Sequence, residues 1–218
     1  MALISSQRAN LLGPSLVIAP ERYDPRRSLR AAEKSVPLGE IVKTIRITAQ
    51  PKDSPGPFLV FDTTDARKGI IVARKHPTYD FGSAKKSLEP GDVIISRLRP
   101  YLRQVAFVDG AIPNMEHAAL LCSTEFFVLR GLGSESVAFL VPFLLSAQVQ
   151  GVLAASQEGG HHPRFDELTL LALPLPTSVV ENRRATSAAM EESIRLYRES
   201  ERTIINLVAE ANTRMAKP

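Results

Sequence analysis

From Ser178 to Met215 the chain runs 38 residues without a glycine or a proline, and nothing else in the sequence limits the fold as strongly. A stretch free of both helix breakers predicts one uninterrupted helix of about ten turns, roughly 50 Å long at 1.5 Å per residue. "SVVE" at Ser178 to Glu181 has the form of a capping box that would start it. Met190, Ile194, Tyr197, Ile204, Val208, Ala211 and Met215 recur in alternating steps of four and three, with Glu201 in the one remaining place of the series. A seam of that period supercoils against a partner helix. The alternative is a helix lying along its own core, the commoner fate of an amphipathic segment. A helix of this length overhangs a domain of about 180 residues, so the expectation is a coiled coil between two copies.

The preceding 176 residues read differently. After an Arg-rich lead-in, "ERYDPRRSLRAAEK", short β-like runs follow one another from Val36 to Arg130: "FLVFD", "GIIVAR", "DVIIS", "QVAFV", "ALLCS" and "FFVLR". Gly, Pro, Asn and Lys clusters separate them, and the spacers are too short for a helical crossover each time, so antiparallel or barrel-like connections are expected. Ser134 to Gln157 switches to helical composition, with Pro142 expected to kink that helix or mark its first turn. "EGGHHPRF" is a loop, and "DELTLLALPLP" reads as a short turn and one last strand ending at Pro174 and Pro176. The fold class is therefore α+β: a strand-rich head with packed helices over residues 1–176, then a long helix over 177–218.

Of 218 residues 44% are hydrophobic and 23% charged, enough apolar material for a sizeable core. Formal charge is +4, and between Asp62 and Arg103 nine basic side chains face five acidic ones, so that stretch holds the entire surplus. Such a localised surplus fits a polyanion partner. A single cysteine, Cys122, lies in the apolar run "HAALLCSTEFF"; it has no internal disulfide partner and reads as a buried thiol, which fits a reducing cytoplasm. The start of the sequence does not read as a signal peptide, and "VAFLVPFLL" is far short of a membrane span, so no membrane association is expected.

Two stretches carry candidate chemistry. "SRLRPYLRQ" places Arg97, Arg99, Tyr101, Arg103 and Gln104 around one bend. Guanidinium forks can each donate two hydrogen bonds to a guanine edge, and a tyrosine ring can stack. A solvated hairpin tip kept charged against edge pairing fits the same residues. "GGHHPRF" offers His161, His162 and Arg164 behind two conformationally permissive glycines. Adjacent histidines point apart on most backbones, and no Cys or carboxylate sits at ligand spacing, which disfavours a metal site. "RGLGSES" looks like a dinucleotide-binding turn, but Ser136 stands where the third glycine belongs, and no strand with a terminal acidic residue follows. It reads as a tight turn. Walker, nucleophile-elbow, metalloprotease and kinase signatures are missing, so no catalytic residue is assigned.

In order, "VPLGEI", "KKSLEPGDVIISR", "STEFFVLR", "EGGHHPRFDELTLLALPLP" and the long helix resemble one target recognition domain of the specificity subunit of Type I restriction-modification systems, over roughly Tyr23 to Arg198. The resemblance implies a non-catalytic, sequence-specific binder of double-stranded DNA. It would need no cofactor of its own and would dock a DNA adenine methyltransferase subunit that binds S-adenosylmethionine, with a motor nuclease subunit added for cleavage. Typical members carry two recognition domains spaced by long antiparallel helices. This chain departs from them in having one of each, and Glu181-Asn182 where Glu-Gln is common. A homodimer paired through Met190, Ile194, Tyr197, Glu201, Ile204, Val208, Ala211 and Met215 would restore two heads and read a gapped palindrome. The DNA-facing set is then Lys85, Lys86, Arg97, Arg99, Tyr101, Arg103, Gln104, His161, His162 and Arg164, with lysines on phosphates and the rest towards bases. The competing expectation is a coiled-coil adaptor that binds no DNA, with a metal-dependent nuclease a third.

Overall fold

The computed structural model describes Leu29 and residues 34–51, 56–72, 75–157 and 162–216. In chain order the elements are β1 (Ser35–Pro37), β2 (Val42–Ile45), β3 (Thr48–Ala49), β4 (Phe58–Phe61), β5 (Ala66–Arg67), β6 (Gly69–Ile71), β7 (Lys85–Leu88), β8 (Val93–Ser96), β9 (Val105–Phe107), β10 (Ala119–Ser123) and β11 (Phe126–Gly131). Then come α1 (Leu140–Leu145), α2 (Ala147–Ala155), α3 (Glu167–Leu171), β12 (Pro174–Pro176), α4 (Thr177–Glu181) and α5 (Arg183–Met215). The class is α+β, as the segment patterns imply.

Six strands form the central sheet in the order β2-β11-β8-β9-β6-β5, and four form a second sheet in the order β3-β7-β10-β4. Most pairings are antiparallel, as short spacers require, but β6 with β9 and β10 with β4 are parallel. The central strands are buried on both faces, which explains why "VII", "VAF" and "FFVL" are continuous apolar runs and not alternating ones. Ile94, Ala106, Phe126 and Val128 point into a core shared with Leu59, Phe61, Leu88 and Cys122 of the second sheet. Their neighbours Val93, Ile95, Val105, Phe107, Phe127 and Leu129 point the other way, into a core closed by α1, α2, α3 and α5. Burial pushes the Cys122 thiol up to about 12, so it stays protonated and inert.

Three sequence expectations need correction. "DELTLL" is a short helix, α3, whose Asp166 carboxylate accepts the Thr169 amide at 2.6 Å. The capping box at Ser178 does not form: Pro176 occupies the N-cap, and Thr177 is tied by its hydroxyl to the Lys34 carbonyl at 2.6 Å, so α4 starts one residue early. The helix is also not continuous from Ser178. At Asn182 ψ opens to 5°, and the Asn182 side-chain amide donates to the Ser178 carbonyl at 2.8 Å, competing with the regular ladder. Pro142 lies in the first turn of α1, where its missing N–H costs nothing. β12 pairs with β1, so the root of the long helix is anchored to the start of the described head.

The first half of α5 is seated on the head. Glu135 pairs with Arg183 at 2.6 Å and also with Arg184. The Ser187 hydroxyl accepts the Phe139 amide and donates to the Ser136 carbonyl, both at 3.1 Å. Met190 packs against the head and Ile194 is 2% exposed within its core. Both were expected in an intermolecular seam; they are instead consumed inside the protomer, where Ile194 joins the core that includes α1 and Met190 packs against β6. Beyond Arg198 the pattern reverses: Ile204 is 60% exposed and Met215 85%. No described helix is long and apolar enough to cross a membrane.

Candidate nucleic-acid interface

Three loops meet at one end of the central sheet. β8 ends at Ser96 and β9 begins at Val105, with a single 3-10 turn, Pro100–Leu102, between them. Arg99 and Arg103 bracket that turn with φ of 49° and 50°, a left-handed conformation that non-glycine residues adopt at a cost of about 1–2 kcal/mol each. The conformation is held from outside. The Arg99 amide donates to the Pro163 carbonyl at 3.1 Å, the Phe165 amide donates to the Arg97 carbonyl at 3.3 Å, and Leu98 bridges Arg164. The basic bend and the end of the Gly-His loop are thereby one unit, though the paired residues are 64 to 68 positions apart in sequence.

The third loop is the tight turn between β10 and β11, and its Glu125 is the hub. Glu125 accepts Arg97 Nε at 3.1 Å and Arg164 through Nε at 2.9 Å and Nη2 at 2.7 Å. The hydrogen bonds from Arg164 and then Arg97 hold its carboxyl at about 2, against an ordinary value of 4.5, even though partial burial opposes them. The Arg97 amide adds a bond to the Glu125 carbonyl at 2.9 Å. Nearby, Glu167 accepts the Thr44 hydroxyl at 2.5 Å and Arg46 Nη2 at 2.9 Å, fixing α3 to the end of β2.

This geometry divides the expected DNA-facing residues. Arg97 and Arg164 spend their forks on Glu125 and brace the loops. Arg103, Tyr101 and Leu102 stand exposed on the turn, with Arg99 partly exposed beside them. Neither Arg99 nor Arg103 makes a side-chain hydrogen bond or ion pair with another described residue. His162 is exposed at the end of the Gly-His loop, its carbonyl accepting Arg164 Nη1 at 3.1 Å. His161 lies outside the described residues. Lys85 is at the surface, donating to the Ser83 hydroxyl at 2.8 Å.

Lys86 and Gln104 do not face outward as expected. Lys86 Nζ donates to the Phe126 carbonyl at 2.6 Å and sits 5.5 Å from the centre of the Phe127 ring. Desolvation lowers its pKa, and Arg97 adds to that, while Cys122 opposes it. Its direction follows from strand parity: in β7 it shares a face with Leu88, which is buried between the sheets. Gln104 is buried at the start of β9, where its backbone carbonyl accepts the Ser96 amide at 2.9 Å. Sequence reasoning missed Glu125, Arg46 and Glu167. The "STEFF" turn between two apolar strands could have flagged Glu125 as a loop carboxylate, but only the fold brings it to Arg97 and Arg164.

The result is a ridge of Arg99, Tyr101 and Arg103, flanked by His162, on a base immobilised by ion pairs. Its forks and ring can approach the edge or face of a planar, electron-rich polyanion. Among the described residues no three His, Cys, Asp or Glu side chains gather to hold a metal ion.

No protein-family model matches the sequence, and no curated protein matches it significantly. Solved structures do. A chain of a type I R-M system, solved for its complex assembly and conformational transition, is 25% identical with a TM-score of 0.56, covering 85% of this chain and 47% of its own length. The HsdS subunit from Thermoanaerobacter tengcongensis is 24% identical with a TM-score of 0.53, covering 84% of this chain and 46% of its own. This chain spans about half the length of the structures it matches.

Proposed function

Taking as premise that the chain is HsdS-like, with the fold of half a type I R-M specificity subunit, we propose that it is a non-catalytic DNA reader bearing one target recognition head. The observation that carries this reading is the braced ridge. Arg99 and Arg103 are held in left-handed backbone, Arg103 exposed and Arg99 partly so, while Arg97 and Arg164 neutralise Glu125 beside them. A tip kept charged merely to prevent edge pairing would need neither the strain nor the brace.

In this role Arg99, Arg103 and His162 approach base edges, Tyr101 stacks or packs at the groove, and Lys85 engages phosphate. Two copies pair through the exposed part of the helix, with Tyr197, Ile204, Val208, Ala211 and Met215 on the shared seam and Glu201 at its inner end. The homodimer reads two inverted half-sites separated by a fixed gap. It delivers them to a DNA adenine methyltransferase subunit, where S-adenosylmethionine binds, and to a motor nuclease subunit. The site of action is the cytoplasm.

Selection from a random duplex pool tests the proposal, using the protein alone and with an adenine methyltransferase subunit of a type I system. Enrichment of a gapped palindrome is the expected result, and Arg99→Ala or Arg103→Ala relaxes one position of each half-site. Absence of enrichment in both settings favours an adaptor that uses the helix to bind protein.

A further inference from the structure

The helix leaves the head at Arg198, and that residue is almost entirely enclosed. Its side chain is 4% exposed and its partner Asp109 9%. Nη2 donates to Asp109 Oδ2 at 2.9 Å and to the Ile71 carbonyl at 2.7 Å, and Nε reaches Asp109 Oδ1 at 3.4 Å. Asp109 is itself fixed, accepting the Ala111 amide at 2.9 Å. Nη1 lies 3.5 Å from Glu201, one turn further along the helix. A buried pair of this kind contributes little net stability over an apolar substitute, because desolvation offsets the attraction. What its directional bonds supply is geometry.

A second, independent contact fixes the same helix about two turns earlier. Gly69 adopts φ +86°, and a Cβ there would meet Val141 Cγ1 at 2.7 Å and Met190 Cε at 2.8 Å. β6 therefore approaches the helix as closely as a backbone can. The two contacts lie about 12 Å apart along the helix, at residues 190 and 198, and the second is the last tie to the head. After Arg198 no apolar residue of α5 is buried.

We propose that Arg198 is a positioning residue that sets the angle between head and stem, and through it the gap between the two half-sites that a dimer can read. The proposal rests on the DNA-reading function above. Without the Arg198 fork the stem still docks through Ile194, but its outermost tie is lost and the last fixed point retreats one turn towards the head. A change of angle at the root is magnified along the unsupported tail, so the second head no longer lands at one fixed distance on the duplex.

Two readouts test this, one of which needs no DNA. In the first, spin labels at Glu116 and Ala209, both exposed, report the head-to-stem distance in protein diluted into unlabelled chains, with buried Cys122 left in place. Wild type gives one narrow distance, and Arg198→Met, which keeps the length of the stem while removing the fork, broadens it at least twofold. In the second, duplexes carry inverted half-sites with spacers varied by single base pairs. Wild type prefers one spacer over its neighbours at least tenfold, and Arg198→Met lowers that preference below threefold while its affinity for an isolated half-site changes less than twofold. Should Arg198→Met fail to fold, Asp109→Asn makes the same test with the side-chain shape retained. An unchanged narrow distance, or an unchanged spacer preference, overturns the proposal. A wild type with a narrow distance and no sequence preference overturns the DNA reading and with it the spacing role, while a broadened variant would still place the hinge at Arg198.

Discussion

The two halves of α5 have the same residue types at the same spacing and opposite surroundings. From Arg183 to Arg198 the helix belongs to the head: Ser187, Ile194 and Arg198 are buried, and Glu135 and Asp109 pair with its arginines. From Glu199 to Met215 its apolar side chains, Ile204, Ile205, Leu207, Val208 and Met215, face solvent. An amphipathic period states that a face will be covered and not by what. Here one seam is split, its root covered by the protein's own core and its tail exposed.

The sharpest way to break the comparison is to make the same change on both sides of Arg198. Ile194→Ala removes buried methyl groups from the main core and should cost about 2–4 kcal/mol in urea unfolding. Ile204→Ala should move the same midpoint by less than about 0.5 kcal/mol. Equal effects would mean the tail is also part of the cooperative head.

Charge in the tail comes next. Ile204→Glu with Val208→Glu should leave head stability intact and reduce affinity for a full gapped site by roughly a hundredfold, the avidity lost when two linked heads become one. Affinity for a single half-site should not change, and titration of both duplexes separates the two. On the head, Arg103→Ala should cost roughly 1–3 kcal/mol for the preferred base and far less for others, read from competition between single-base variants of the site.

The smallest effect concerns the brace. Glu125 has a folded pKa of about 2 against 4.5 ordinarily, so it is depressed, and its stabilising contribution is present above 4.5 and lost as pH falls through 2. Wild type should therefore exceed Glu125→Gln in thermal stability by a constant margin at neutral pH, and the margin should shrink between pH 4.5 and 2. Because the carboxylate is only partly buried, the margin is modest. A gap that persists undiminished at pH 2 would place the stabilisation elsewhere.

Much of this was readable in the sequence, and the misses have physical causes. Strand runs between Val36 and Arg130 were legible because turn residues punctuate them, and the long helix because breakers are absent. Division of the helix seam was not legible, since Ile194 and Ile204 satisfy the same period and only the flank of the head distinguishes them. Lys85 and Lys86 look alike in sequence, yet alternation puts Lys86 on the face of buried Leu88, where it is half-buried, a parity signal that was available. Glu125 was invisible because its partners are 28 and 39 residues away.

Sedimentation equilibrium of the full chain at micromolar concentration tests the division of the helix most directly. The account predicts a species of twice the 23.9 kDa chain mass that dissociates to single chains when Ile204 and Val208 are changed to Glu. A wild type that stays a single chain at that concentration, both alone and on a duplex carrying two half-sites, would contradict it.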